Sequence, residues 1–399
     1  MAGAAGGGPQ DSGRSTSEDA RRAPAPRTAT AEMQVVTVPQ DHGGTYIRDL
    51  RQGVIVPTTF GSLRRLVLTP SLASVTFAGR GFPADPTETT ERLEAVPRAV
   101  VCGFEWGIDS RSQWEVERRL ALVDPEQRGF AYEGATMAFT VLDAMGRGRR
   151  TRDLLTGSGQ PHIFLAYIGI GFAMARLPRP LWSKVLPDLT GTPYHPTMSW
   201  LAVDGYGFDL AYFHTRRWVD EQRRPKPYPW QGAPEYFQRA VDQGIGRALW
   251  FIHGGSPRQV AAAVRRFGPD RQADLWGGVG LASTFAGGSP AEGLAVLCDE
   301  AGPYRAELAQ GSVFASKARA YAGHVPGHTE AASTALTGLS VEAAAKLADD
   351  CVPDLSLIHA NVRAHFRDTG DLLRPAPRPA AQAAAPRPEA PAKRPRPQK

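Results

Sequence analysis

The chain has 399 residues, 42% hydrophobic and 22% charged, a globular composition long enough for two or three domains of about 150 residues. Its formal net charge of +6 comes entirely from Arg374–Lys399, where seven basic side chains stand against one acid, so the rest of the chain sums to zero. A duplex-binding domain needs positive charge clustered on a folded face, so no nucleic-acid partner is expected.

The longest nearly apolar run, Ile163–Ala175, has 13 residues, against about 20 for a membrane helix, and no membrane span is expected. The first residues lack the charged start and apolar core of a secretory leader. Cys102, Cys298 and Cys351 are far apart, with neither CxxC nor zinc-ligand spacing. The expectation is reduced thiols in a cytoplasmic protein.

In chain order, residues 1–45 are poor in large apolar side chains and read as a disordered extension, and 46–61 as an extended arm. Sustained apolar patterning then predicts a single α-helical repeat domain over 62–373. The tail 374–399 holds eight prolines and no large apolar residue, and reads as disordered.

Within the folded region a unit recurs. Ser256–Gly288 and Ser289–Gly323 both open with Ser-Pro, run through a helix-favouring stretch, break at Gly-Pro and resume with a glycine-containing apolar helix. The glycine of that helix recurs as Gly134, Gly169, Gly205, Gly244, Gly278 and Gly311, at spacings of 35, 36, 39, 34 and 33. Mid-helix glycine costs about 1 kcal/mol relative to alanine, and close helix approach is the simplest recurrent gain. The pattern predicts an all-α fold of stacked helical hairpins with a period near 35 residues, either α-solenoid-like or curled into a bowl. Ile163–Leu177 is apolar on nearly every side and should be a central, buried helix. The four prolines of Arg223–Pro234 forbid helix and predict a rigid surface loop or a lid.

The G-x-G strings are not nucleotide fingerprints, because helix is expected on both sides where a dinucleotide turn needs a strand before it. No GxxxxGK[ST], HExxH or GxSxG occurs. The repeat register isolates acids instead. Glu133 and Asp204 each precede a marker glycine by one residue, and Asp242 precedes its glycine by two. Carboxylates in such a register are costly unless paired or hydrogen-bonded. Either they cap helices or pair with Arg247, Arg216 and Arg217, or they form an acidic pocket. His214 and His253 each lie nine residues after a marker glycine. Asp242 and His253 share a helix face but stand about 16 Å apart along it, too far to share a metal. The candidate catalytic set is therefore Glu133, Asp204, Asp242, His214, His253 and Arg247, with metal binding left open. His328-Thr329-Glu330 reads as a helix start.

The strings RGFAYEGATMA, PHIFLAYIGIGFAMARLP, WLAVDGYGFDLAYFH, DQGIGRALWFIHG and ADLWGGVGLASTFAGG resemble the "enediyne biosynthesis protein" family, whose genes accompany the iterative polyketide synthases of enediyne warheads. The resemblance runs from near Ser62 to about Cys351 and carries no catalytic residues with it. It implies an accessory protein of enediyne warhead maturation that binds a polyene-derived polyketide intermediate, its transformation being an open question. No cofactor is implied, so redox steps would belong to other pathway proteins. The alternative is a non-catalytic helical-repeat scaffold docking pathway enzymes. A closed cavity holding the acids would favour the first reading, and a broad charged concave face the second.

Overall fold

The structure, a computed structural model, describes residues 72–83, 85, 87–110, 112–351 and 355–368. All of them fall in the compact unit Val56–Lys399. The expected extension (1–45), arm (46–61) and tail (374–399) lie outside the described residues. Among the described residues every regular element is helical, and the fold is all-α.

Seven longer helices form a row: α1 (Glu88–Asp109), α3 (Pro125–Met145), α5 (Ile163–Arg176), α6 (Trp200–Phe213), α7 (Pro234–Ile252), α9 (Pro269–Ala286) and α11 (Arg305–Tyr321). Each packs along the next. Shorter helices intervene: α2 (Gln113–Ala121), α4 (Arg150–Thr156), α8 (Pro257–Arg265), α10 (Ala291–Ala301) and α12 (Gly327–Thr337). Then α13 (Val341–Asp350) and α14 (Leu355–Asp368) pack on α11. The starts follow local chemistry. Asp124 accepts from the Glu126 amide ahead of Pro125, and Pro234, Pro257 and Pro269 open α7, α8 and α9, where their missing N–H costs nothing. His328 and its neighbours do begin a helix, α12.

The marker glycines are where the row's backbones meet. A Cβ on Gly169 would collide with the carbonyl of Glu133, one on Gly205 with that of Ile168, one on Gly244 with that of Asp204, and one on Gly278 with that of Gln243. In each case the carbonyl belongs to the residue just before the preceding marker. The second glycine of each G-x-G pair faces the other way: Gly171 meets Ala202, Gly207 meets Val241, and Gly246 meets Leu275. The missing side chain lets two helix backbones approach within packing distance, which offsets the propensity cost. The same register continues one step further upstream, where Gly134 meets the carbonyl of Val100 and Gly103 meets that of Ala131.

The row curls rather than running on as an open superhelix. Phe130 of α3 packs edge-on against Phe285 of α9 at 5.4 Å. Arg319 of α11 donates to the carbonyls of Phe285 and Glu126, and Arg92 of α1 lies 3.1 Å from His328 Nδ1. The early helices thus meet the late ones around an interior space. The helices are anchored by very large buried side chains, Trp250 and Trp276 among them, each contributing about 1.5–3 kcal/mol by burial. Residues 223–233 of the Pro-rich segment contain one short helical turn, Trp230–Gly232, and Pro234 opens α7. Arg179 holds it by the carbonyls of Lys226 and Pro227, and Tyr228 sits against Trp182. None of its residues lines the interior space, so it is a strapped loop and not a lid over that space.

Candidate functional site

The interior space is a cavity of about 120 Å³ walled by all seven helices of the row. Its surface is dominated by rings, among them Phe104, Phe130, Phe164, Phe172, Phe208 and Phe251, interleaved with Met137, Ile168 and Leu281. Such a wall gives an elongated apolar or unsaturated ligand extensive contact, with few polar atoms to desolvate.

The charged groups on this wall are few and specific. Glu133 of α3 is 2% exposed and lines the cavity. Burial pushes its carboxyl up to about 8, Arg247 pulling it down and Asp204 pushing it further up. At neutral pH it is therefore a protonated acid facing an apolar space. Arg247 of α7 also lines the cavity, its guanidinium 5.1 Å from the centre of the Phe208 ring, and is ion-paired with the buried Asp204 of α6. Burial raises the Asp204 carboxyl against the pull of Arg247. Two further ion pairs border the cavity. Arg176 holds Asp209 at 2.6 Å, and Lys317 holds the solvent-exposed Asp349 at 2.7 Å, under the rings of Tyr194 and Tyr321.

A second, smaller space of about 20 Å³ adjoins the first and shares Met198, Leu201, Leu281 and Phe314 with it. Its polar lining consists of Asp204, Gln243, Gln310 and His359. The Arg247–Asp204 pair thus stands between the two spaces, its arginine on the larger and its aspartate on the smaller.

The structure brings Glu133, Asp204 and Arg247 together. Asp242 is elsewhere: Arg271 grips its carboxylate through Nε at 3.1 Å to both oxygens and through Nη2 at 2.5 Å, Gln238 adds a bond at 3.0 Å, and it lines neither space. His214 is an exposed residue closing α6, and its carbonyl accepts from Arg217 and Trp218. His253 closes α7 with a buried Nε2 that has no hydrogen-bond partner, and burial lowers its pKa. Neither histidine lines either of the two spaces. Among the described residues no three His, Cys, Asp or Glu side chains are grouped to hold a metal ion. The three cysteines are free thiols. No described helix is long and apolar enough to cross a membrane.

Sequence reasoning missed Gln243 and Gln310, although the repeat register points to them. The residue preceding each marker position runs Val100, Glu133, Ile168, Asp204, Gln243, Gly277 and Gln310, and every one of the seven lines one of the two spaces. Holding strictly to that register replaces Asp242 with its neighbour Gln243. Asp209, Arg176, Lys317 and His359 carry no comparable signal in the sequence.

Fold and site together define an all-α protein with a concave, ring-lined cavity and a buried acid on its wall. Residues 59–366 match the family described as "Protein of unknown function (DUF1702)", and the chain belongs to that family. No curated protein and no solved structure matches the chain.

Proposed function

We propose that this protein binds an elongated, unsaturated, polyketide-derived intermediate in its central cavity during enediyne warhead maturation, and that Glu133 exchanges a proton with it there. The observation that carries the reading is a protonated carboxyl without an ion-pair partner of its own, set into a mostly aromatic and aliphatic wall whose other lining acids, Asp209 and Asp349, are ion-paired. A neutral carboxylic acid in an apolar site donates a hydrogen bond or a proton to an oxygen or carbon beside it, and the carboxylate left behind has the Arg247 charge nearby. The substrate class comes from the resemblance of the glycine-marked helices to enediyne biosynthesis proteins. The concave, mostly apolar cavity favours this reading over a docking scaffold, which would use a broad charged face.

The test is a producing strain carrying Glu133→Gln, profiled for products and trapped intermediates. The expected result is loss of the enediyne, accumulation of a polyene-derived compound, and a variant protein still folded at normal abundance. Unchanged production by a folded Glu133→Gln protein would refute the proton-exchange role. Unchanged pathway chemistry with only a lower titre on deleting the gene would return the scaffold reading.

A further inference from the structure

The smaller space beside the cavity has a hydrogen-bonding pattern that can be worked out from its neighbours. Tyr236 Oη lies 3.1 Å from His359 Nδ1, and Gln243 Nε2 reaches both, 3.2 Å from each. The amide can only donate, so the phenol oxygen accepts from Gln243 and gives its own proton to the imidazole. Nδ1 of His359 is therefore an acceptor. Burial and the neighbouring charges of Arg363 and Arg239 keep the ring neutral, so its one proton sits on Nε2. Gln243 has spent its N–H groups outward, leaving Oε1 as its remaining polar atom. Gln310 is oriented the opposite way: its Oε1 accepts from Arg363 Nε at 3.0 Å, which leaves its amide N–H groups as donors. Asp204 gives one carboxylate oxygen to Arg247 and keeps the other.

His359 and Gln310, each with an N–H donor to spare, and Gln243 and Asp204, each with an acceptor to spare, all line the recess, whose wall is otherwise apolar. Gln310 is 2% and His359 3% exposed, so bulk water does not serve them. Buried donors without partners are costly, and a ligand that satisfies them gains accordingly. An anionic end would meet the Asp204 carboxylate, and because Arg247 on the neighbouring space already pairs with that carboxylate, the recess holds no unpaired charge for a cationic end.

We propose that this recess is the subsite for an uncharged oxygen function, a ketone or alcohol, at one end of the ligand held in the main cavity, and that the Gln310 amide is the donor that selects it. The proposal rests on the ligand-binding reading above and adds the polarity and position of the ligand's end. An apolar chain along the ring-lined wall would place its oxygenated end past Leu201 and Phe314, which border both spaces.

The experiment uses the full chain and four probes of equal length, dodecane, dodecanol, dodecanone and dodecanoate, each displacing an environment-sensitive apolar dye. Dodecanol and dodecanone are expected to bind about 5–10-fold more tightly than dodecane, as one or two buried neutral hydrogen bonds allow, and dodecanoate no better than dodecane. Gln310→Leu removes the donor and should bring the alcohol-to-alkane ratio close to one. Should that variant fail to fold, Gln310→Glu retains an acceptor for Arg363 while removing the donor, and should likewise abolish the preference. Equal binding of all four probes by the native protein, a preference for dodecanoate, or a preference that survives Gln310→Glu would overturn the subsite while leaving the cavity as a binding site. Failure of the dye and every probe to bind would overturn the cavity reading, and this one with it.

Discussion

Arg247 of α7 and Asp204 of α6 form a buried ion pair at the glycine contact that joins their helices: the Asp204 carbonyl is the atom that a side chain on Gly244 would strike. One residue therefore contributes its backbone to the close approach and its side chain to the wall between two cavities. Stability and site geometry are coupled there, which sets what substitutions should do.

Asp204→Asn removes one charge of that pair and leaves the other buried. Losing one partner of a buried pair costs about 3–5 kcal/mol, and at about 2–4 °C per kcal/mol the melting temperature should fall by roughly 6–20 °C. Replacing both groups, as Asp204→Asn with Arg247→Met, should recover part of the loss, because no unpaired charge remains. Differential scanning calorimetry of the three proteins checks this. A single variant as stable as the native protein would show that the pair does not anchor α6 to α7.

Glu133 makes stability depend on pH. Its carboxyl titrates at its ordinary 4.5 in the unfolded chain and at about 8 in the fold, so between those values the folded protein holds a proton that the unfolded chain has released. Stability therefore declines as pH rises across that interval. Glu133→Gln removes the dependence. Thermal melts of native and variant protein from about pH 5 to pH 8.5 should show the native melting temperature falling relative to the variant's as pH rises. A constant difference would place the Glu133 pKa near its ordinary value.

Adjacent glycines on α9 should behave oppositely. A Cβ on Gly278 would strike the Gln243 carbonyl, while the nearest atom to one on Gly277 is Gln310 Oε1 at 3.6 Å, an ordinary contact. Gly278→Ala must push α9 from α7 and should prevent stable folding. Gly277→Ala should be neutral or stabilising, by up to about 1 kcal/mol of helix propensity. Chemical denaturation of the two variants separates these outcomes, and similar losses in both would contradict the packing described for α7 and α9.

Ala282 is buried on the cavity wall. Ala282→Phe projects a ring into the open space, where it adds apolar contact instead of displacing packed atoms. Affinity for an apolar fluorescent dye should fall by about tenfold or more, equivalent to about 1.4 kcal/mol, while the melting temperature holds or rises. Undiminished dye binding would place the dye outside this cavity.

The helical class, the breaks at Gly-Pro and the glycines that let helices approach were legible in the sequence, because each is a local consequence of residue type. Glycine at fixed spacing in apolar helices implies backbone contact, whatever the final curvature. The same register located Glu133 and Asp204, since a carboxylate among apolar neighbours is conspicuous at any stage. It did not distinguish Asp242 from Gln243. One residue around a helix is a turn of about 100°, which sends one side chain into the recess and the other to Arg271. Charge drew attention to the acid, and geometry selected the amide. What only the tertiary structure decided was closure and partnership. Curling brings Phe130 to Phe285 and walls the space, and it sets which arginine neutralises which acid, Arg247 taking Asp204 while Glu133 keeps its proton. Those pairings join residues tens to more than a hundred positions apart, and no local pattern in the chain carries that information.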